Sequence, residues 1–98
     1  MNAFTWDAAK AKSNSEKHGV PFEEASTVFD DPNGLDGDDP EHSSHELRRQ
    51  RLGKSATGRI LFIVDTIRGS EHEKESIRII SARQASRKER QAYSGFAD

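Results

Sequence analysis

The hydrophobic pattern is clearest in the C-terminal half of the chain. Arg59 to Thr66 reads RILFIVDT, with Ile60, Phe62 and Val64 on one face of an extended segment and Leu61 and Ile63 on the other. Both faces are apolar, which predicts a central strand covered on both sides. Ser76 to Arg83, SIRIISAR, alternates: Ile77, Ile79 and Ser81 point one way, and Arg78, Ile80 and Ala82 the other. It reads as the antiparallel neighbour of the first strand, joined to it by the polar stretch Arg68 to Glu75. Ser86 then stands three residues before Glu89, the spacing of a capping box. A helix is expected from about Ser86 past Tyr93, until Gly95 weakens it.

Nearer the N-terminus the period becomes helical. Ala3 to Trp6 is a short β-prone opening, an edge strand that buries Phe4 or Trp6. Asp7 can cap a helix over Ala8 to His18, and Gly19 can close it. Its apolar face is weak (Ala8, Ala11, Ser15), while Lys10, Asn14 and Lys17 share a polar stripe. Pro21 opens a second helix with Glu23 and Glu24 in its first turn, and Phe22, Ala25, Val28 and Phe29 recur at core-facing spacing. Asp30, Asp31 and Pro32 end it. Asn33 to Ser44 is acidic and turn-rich with a short strand near Leu35. Glu46 to Gly53 is a strand too polar for the sheet centre, and Lys54 to Gly58 is a turn. The order β-α-α-β-β-β-β-α predicts one α+β domain over residues 1–98. Its sheet is mostly antiparallel, with about four to five strands, two N-terminal helices and one C-terminal helix.

Composition narrows this. The 98 residues are 32% hydrophobic and 33% charged, enough for one small core and little apolar surplus. There is no cysteine, hence no disulfide framework and no thiolate chemistry, which fits a reducing cytoplasm. No stretch reads as a signal peptide or a membrane helix, so a soluble cytoplasmic protein is expected. The net charge of −2 hides a segregation. Residues 1–20 carry three lysines against Asp7 and Glu16, residues 21–46 nine acids and no Lys or Arg, and residues 47–98 twelve bases against six acids. Such a chain can touch a phosphate backbone on one face and a basic partner on another.

Arg78, Arg83, Arg87, Lys88 and Arg90 fall on the last strand and helix. They read either as solvated surface or as a phosphate-binding face, since guanidinium groups grip phosphate bidentately and stay charged. Arg83 stands out because it ends an apolar strand. The Lys10, Asn14, Lys17 stripe extends that face if it points the same way. Asp36, Asp38, Asp39, Glu41 and His42 lack the calcium-loop spacing, so no metal site is expected. His42 and His45 read as a loop pair without an orienting partner, though histidines can act as acid and base.

Three segments taken together resemble the BrnT family of ribonuclease toxins from bacterial type II toxin–antitoxin pairs. They are FTWDAAKAKSNSEKHGVPFEEASTVFDDP, LGKSATGRILFIVDTIRG and IRIISARQASRKERQAY, which span Phe4 to Tyr93 in order. The resemblance implies a RelE-like fold, RNA cleavage and inhibition of translation without a metal or other cofactor, and neutralisation by a BrnA-like antitoxin with a ribbon–helix–helix part. It further implies a toxin–antitoxin heterotetramer that reaches operator DNA only through the antitoxin. The carry-over falls on Trp6, Asp7, Lys10, Asn14, Lys17, His18, Arg68, Arg78, Ser81, Arg83, Glu89 and Tyr93, of which Asp7, Ser81 and Glu89 have structural roles. The polar connection Gly69 to Ser76 departs from the family pattern.

Metal-free cleavage needs a base for the ribose 2′-hydroxyl, stabilisation of the phosphorane and an acid for the leaving oxygen. Arg83, helped by Arg68 or Arg78, is expected to stabilise charge, with Arg87 and Lys88 among the residues that hold the strand. Tyr93, or Lys17 with His18, is expected to move protons. Tyr93 would need its pKa lowered by Lys88, Arg90 or Arg83, and it reads equally as a packing residue; His18 reads equally as a helix C-terminal residue favoured by the dipole. The acidic stretch with Asp36, Asp38 and Asp39 is the expected antitoxin contact. A non-catalytic adaptor, binding RNA or protein through the same basic face, is the alternative.

Overall fold

Five strands form one mixed sheet in the computed structural model, which describes residues 3–43, 46–69 and 74–97, excepting the side chains of His42, Phe96 and Ala97. The elements are β1 (Ala3–Thr5), α1 (Ala8–His18), α2 (Phe22–Thr27), β2 (Leu35–Asp38), β3 (Arg48–Lys54), β4 (Ile60–Arg68), β5 (Ser76–Gln84) and α3 (Arg87–Ala97). Short 3₁₀ turns follow α2 (Val28–Asp30) and β2 (Pro40–His42). The spatial order is β1-β5-β4-β3-β2, with β1 parallel to β5 and every other pair antiparallel. The predicted element order holds, and β4 is the middle strand as its two apolar faces required.

Local chemistry sets the helix ends. The Asp7 carboxylate accepts from the Lys10 N–H at 3.0 Å, and Gly19, at φ 69°, closes α1 in the left-handed region open to glycine. The capping box of α3 forms reciprocally: the Glu89 N–H donates to Ser86 Oγ at 3.2 Å, and the Ser86 N–H to Glu89 Oε1 at 2.9 Å. Gly95 does not end this helix, which runs on to Ala97.

The main core lies between the sheet and the N-terminal helices. Phe22, Ala25 and Val28 meet Leu61, Ile63 and Ile79, and all are buried. Each large apolar side chain here contributes about 1.5–3 kcal/mol. Asn14 reinforces the seam. Its Nδ2 donates to the carbonyls of Ala82 (2.8 Å) and Val20 (3.1 Å), and its Oδ1 accepts from the Ala82 N–H (3.1 Å). A smaller cluster on the opposite face seats α3, where Tyr93 packs with Leu52 and Ala85 beside Phe62.

Two expectations change here. The strict alternation of Ser76 to Arg83 breaks, because Val64 pairs with Ser81 while Asp65 pairs with Ile79. The extra residue is a β-bulge, which turns Ile79 and Ala82 onto the same helix-covered face and brings Ile80 and Ser81 out together on the other. The second face of β4 is also not fully covered: α3 spans only the end near Phe62, and Val64 stays half-buried.

Candidate functional site

That uncovered face is a groove of about 560 Å³. Its floor is apolar, made by Phe62 and Val64 of β4 and Ile80 of β5, the last set there by the bulge. Arg48 and Gln50, two residues apart and so on one side of β3, form one wall. His18 from the end of α1, Glu41 from the turn after β2, and Arg83 with Glu89 complete the rim.

Arg83 is held from three sides. Its Nη1 and Nη2 donate to Glu89 Oε1 (2.7 Å) and Oε2 (2.9 Å), and Nη1 also reaches the Gln84 carbonyl at 3.3 Å. Its guanidinium carbon lies 4.3 Å from the Phe62 ring centroid. The Arg83 hydrogen bonds, then those from Ser86, hold the Glu89 carboxyl down at about 2, so this clamp stays charged at any working pH. The Nε–H and the second N–H of Nη2 have no partner among the described residues, and this paired edge matches the spacing of two phosphate oxygens. Sequence reasoning chose Arg83 for its strand-end direction, and missed that the Glu89 of the capping box also fixes its guanidinium.

The other expected residues divide. His18 reaches the groove. Lys17, beside it, is exposed outside the lining, and so is Lys10. Asn14 is buried in backbone hydrogen bonds and cannot bind substrate phosphate, a correction to its place on the polar stripe. Tyr93 is corrected in the opposite direction to the one its chemistry needed. Its hydroxyl donates to Asp31 Oδ2 at 2.7 Å, this bond, burial and the Asp31 charge raise its pKa, and its ring is buried with Leu52 and Ala85. Arg68 sits at the far end of β4, about 20 Å along the strand from Phe62, and pairs with Glu46 at 3.1 Å. It does not join Arg83. Arg78 stands further along β5, outside the lining, and Arg87 and Lys88 are exposed on the first turn of α3. The His42–His45 pair lies outside the described side chains.

The comparisons with known proteins cover most of the chain. A family model described as "Ribonuclease toxin, BrnT, of type II toxin-antitoxin system" matches residues 6–89. The chain belongs to the BrnT family. The 1.1 Å crystal structure of the Brucella abortus ribonuclease toxin BrnT shares its fold, with a TM-score of 0.64 and 21% identity over 89% of this chain and 100% of that one. No curated protein matches.

In this BrnT chain the basic C-terminal half is not one cationic surface. Arg49 and Arg51, on the helix side of the sheet, are engaged by Asp65 (2.9 Å) and Asp36 (2.8 Å), and Arg59 by Glu24. Of the three acids expected to meet an antitoxin, Asp36 is exposed but paired with Arg51, Asp39 is buried, and Asp38 is exposed. Arg48, Gln50 and Glu41 are the groove residues that sequence reasoning passed over. Arg48 and Gln50 shared one face of a polar strand, a signal that was present in the alternation; Glu41 was visible only as one more acid in a loop.

Proposed function

We propose that this BrnT-family toxin is an endoribonuclease that cleaves RNA without a metal ion and so inhibits translation in the cytoplasm. The ribose 2′-oxygen bonds to the adjacent phosphorus, the bond from phosphorus to the 5′-oxygen breaks, and a cyclic phosphate and a 5′-hydroxyl result. Arg83 takes the growing negative charge through its Nε–Nη2 edge, while Glu89 and Phe62 keep that edge aimed. Electrostatic stabilisation of this kind is often the largest single contribution to catalysis. His18, an imidazole on the same rim, takes the 2′-hydroxyl proton and returns one to the leaving 5′-oxygen. The edge of a clamped arginine that has no partner among the described residues, on the rim of an open groove, is the observation that carries this reading. A BrnA-like antitoxin with a ribbon–helix–helix part neutralises the toxin as a heterotetramer and links it to operator DNA, in keeping with its type II family.

The decisive experiment incubates the purified chain with total RNA, with and without a chelator, beside Arg83→Ala. Wild type is expected to cleave in both conditions, and the variant to lose about 10²–10³-fold in kcat. Equal rates for the two proteins remove Arg83 from the mechanism, and cleavage abolished by the chelator removes metal independence. Intact RNA retained in a salt-sensitive manner identifies a binding protein rather than an enzyme.

A further inference from the structure

The groove is too acidic for a run of phosphates: Arg48 and Arg83 line it against Asp39, Glu41 and Glu89. Arg83 and Glu89 are matched to each other, so a single linkage fits at that end. At the other end, the Nε of Arg48 is buried without a hydrogen bond among the described residues and faces Glu46 Oε1 at 3.9 Å, which leaves the two Nη groups of this partly exposed side chain for the groove. The half-buried Gln50 amide has no partner among the described residues. Glu41 stands exposed on the rim there, and Val64 and Ile80 offer a flat apolar floor between the walls. Arg48 pairs with Thr66 and Arg83 with Phe62, two strands and four residues apart, which places their Cα positions about 16 Å from each other on sheet geometry. The two ends therefore address different parts of one strand of RNA.

We propose that the Arg48 end is a base seat for guanine beside the cleaved linkage. Guanine alone among the bases pairs two acceptors, O6 and N7, that suit a guanidinium with N–H donors on its Watson–Crick edge that suit a carboxylate. Arg48 takes the acceptors, Glu41 takes the donors, Gln50 completes the polar edge, and the ring lies on Val64 and Ile80. This deepens the ribonuclease reading and rests on it.

The test measures kcat/KM on RNA hexamers that carry one guanine, inosine or adenine in an otherwise uniform uridine sequence. Wild type is expected to favour guanine over adenine by at least about tenfold, with inosine, which lacks the 2-amino group, in between. Glu41→Gln, at an exposed position, is expected to erase the difference between guanine and inosine. Arg48→Gln is expected to erase the preference over adenine. No guanine preference in wild type, or one that survives both substitutions, overturns the proposal. Calorimetric binding of 3′-GMP against 3′-AMP separates the two failures: discrimination that persists without cleavage keeps the seat and rejects the enzyme, and equal binding rejects the seat.

Discussion

Asn14→Ala separates a structural from a substrate-binding role at a position where the sequence suggested the latter. The amide makes three hydrogen bonds, to both backbone groups of Ala82 and to the Val20 carbonyl, from a site that is 9% exposed. Each such bond contributes about 1 kcal/mol net, and truncation also leaves buried backbone groups without partners, so the loss should be about 3 kcal/mol. In a domain of this size that lowers Tm by roughly 10–20 °C. Urea unfolding of the variant should give the same m-value as wild type with a lower midpoint. Lys10→Ala and Lys17→Ala, both exposed, should stay within about 0.5 kcal/mol. A loss below about 1 kcal/mol for Asn14→Ala, with RNA binding weakened at every salt concentration, would refute the reasoning and return Asn14 to the substrate face.

Tyr93→Phe removes the bond to Asp31 and should reduce stability by about 1 kcal/mol, while kcat stays within about twofold and its basic limb does not move; a hundredfold drop in a folded variant would restore a catalytic tyrosine. Glu24 is held down at about 2, chiefly by the Arg59 hydrogen bonds and then by those from Thr57 and Ser55. Because the folded pKa is depressed, its contribution is present above the ordinary carboxylate range and is lost as pH falls towards 2. Discounted for the partly exposed Arg59, this is about 2 kcal/mol. Melts from pH 7 down to pH 2.5 should show an acid loss smaller by roughly that amount in Glu24→Gln; an identical loss in both proteins would assign the sensitivity elsewhere. Arg83→Ala remains the direct probe of chemistry.

The chain itself determined whatever depends on near neighbours. The cap at Asp7, the stop at Gly19, the Ser86–Glu89 box and the two-faced β4 all follow from residues a few positions apart, and the family resemblance follows from the same segments. Tertiary structure decided which polar groups remain available. Asn14 and Lys17 share a helical stripe, yet one is sealed against Ala82, 68 residues away, and the other faces solvent. Tyr93 met a carboxylate 62 residues distant rather than the cations beside it in sequence, which reversed the direction of its pKa. The bulge opposite Val64 and Asp65, invisible in an alternating pattern, set Ile80 and Ser81 into the groove. Charge and period are properties of the chain, whereas partnership is a property of space: an arginine is free or engaged according to what the fold brings within hydrogen-bond reach, and no local pattern encodes that.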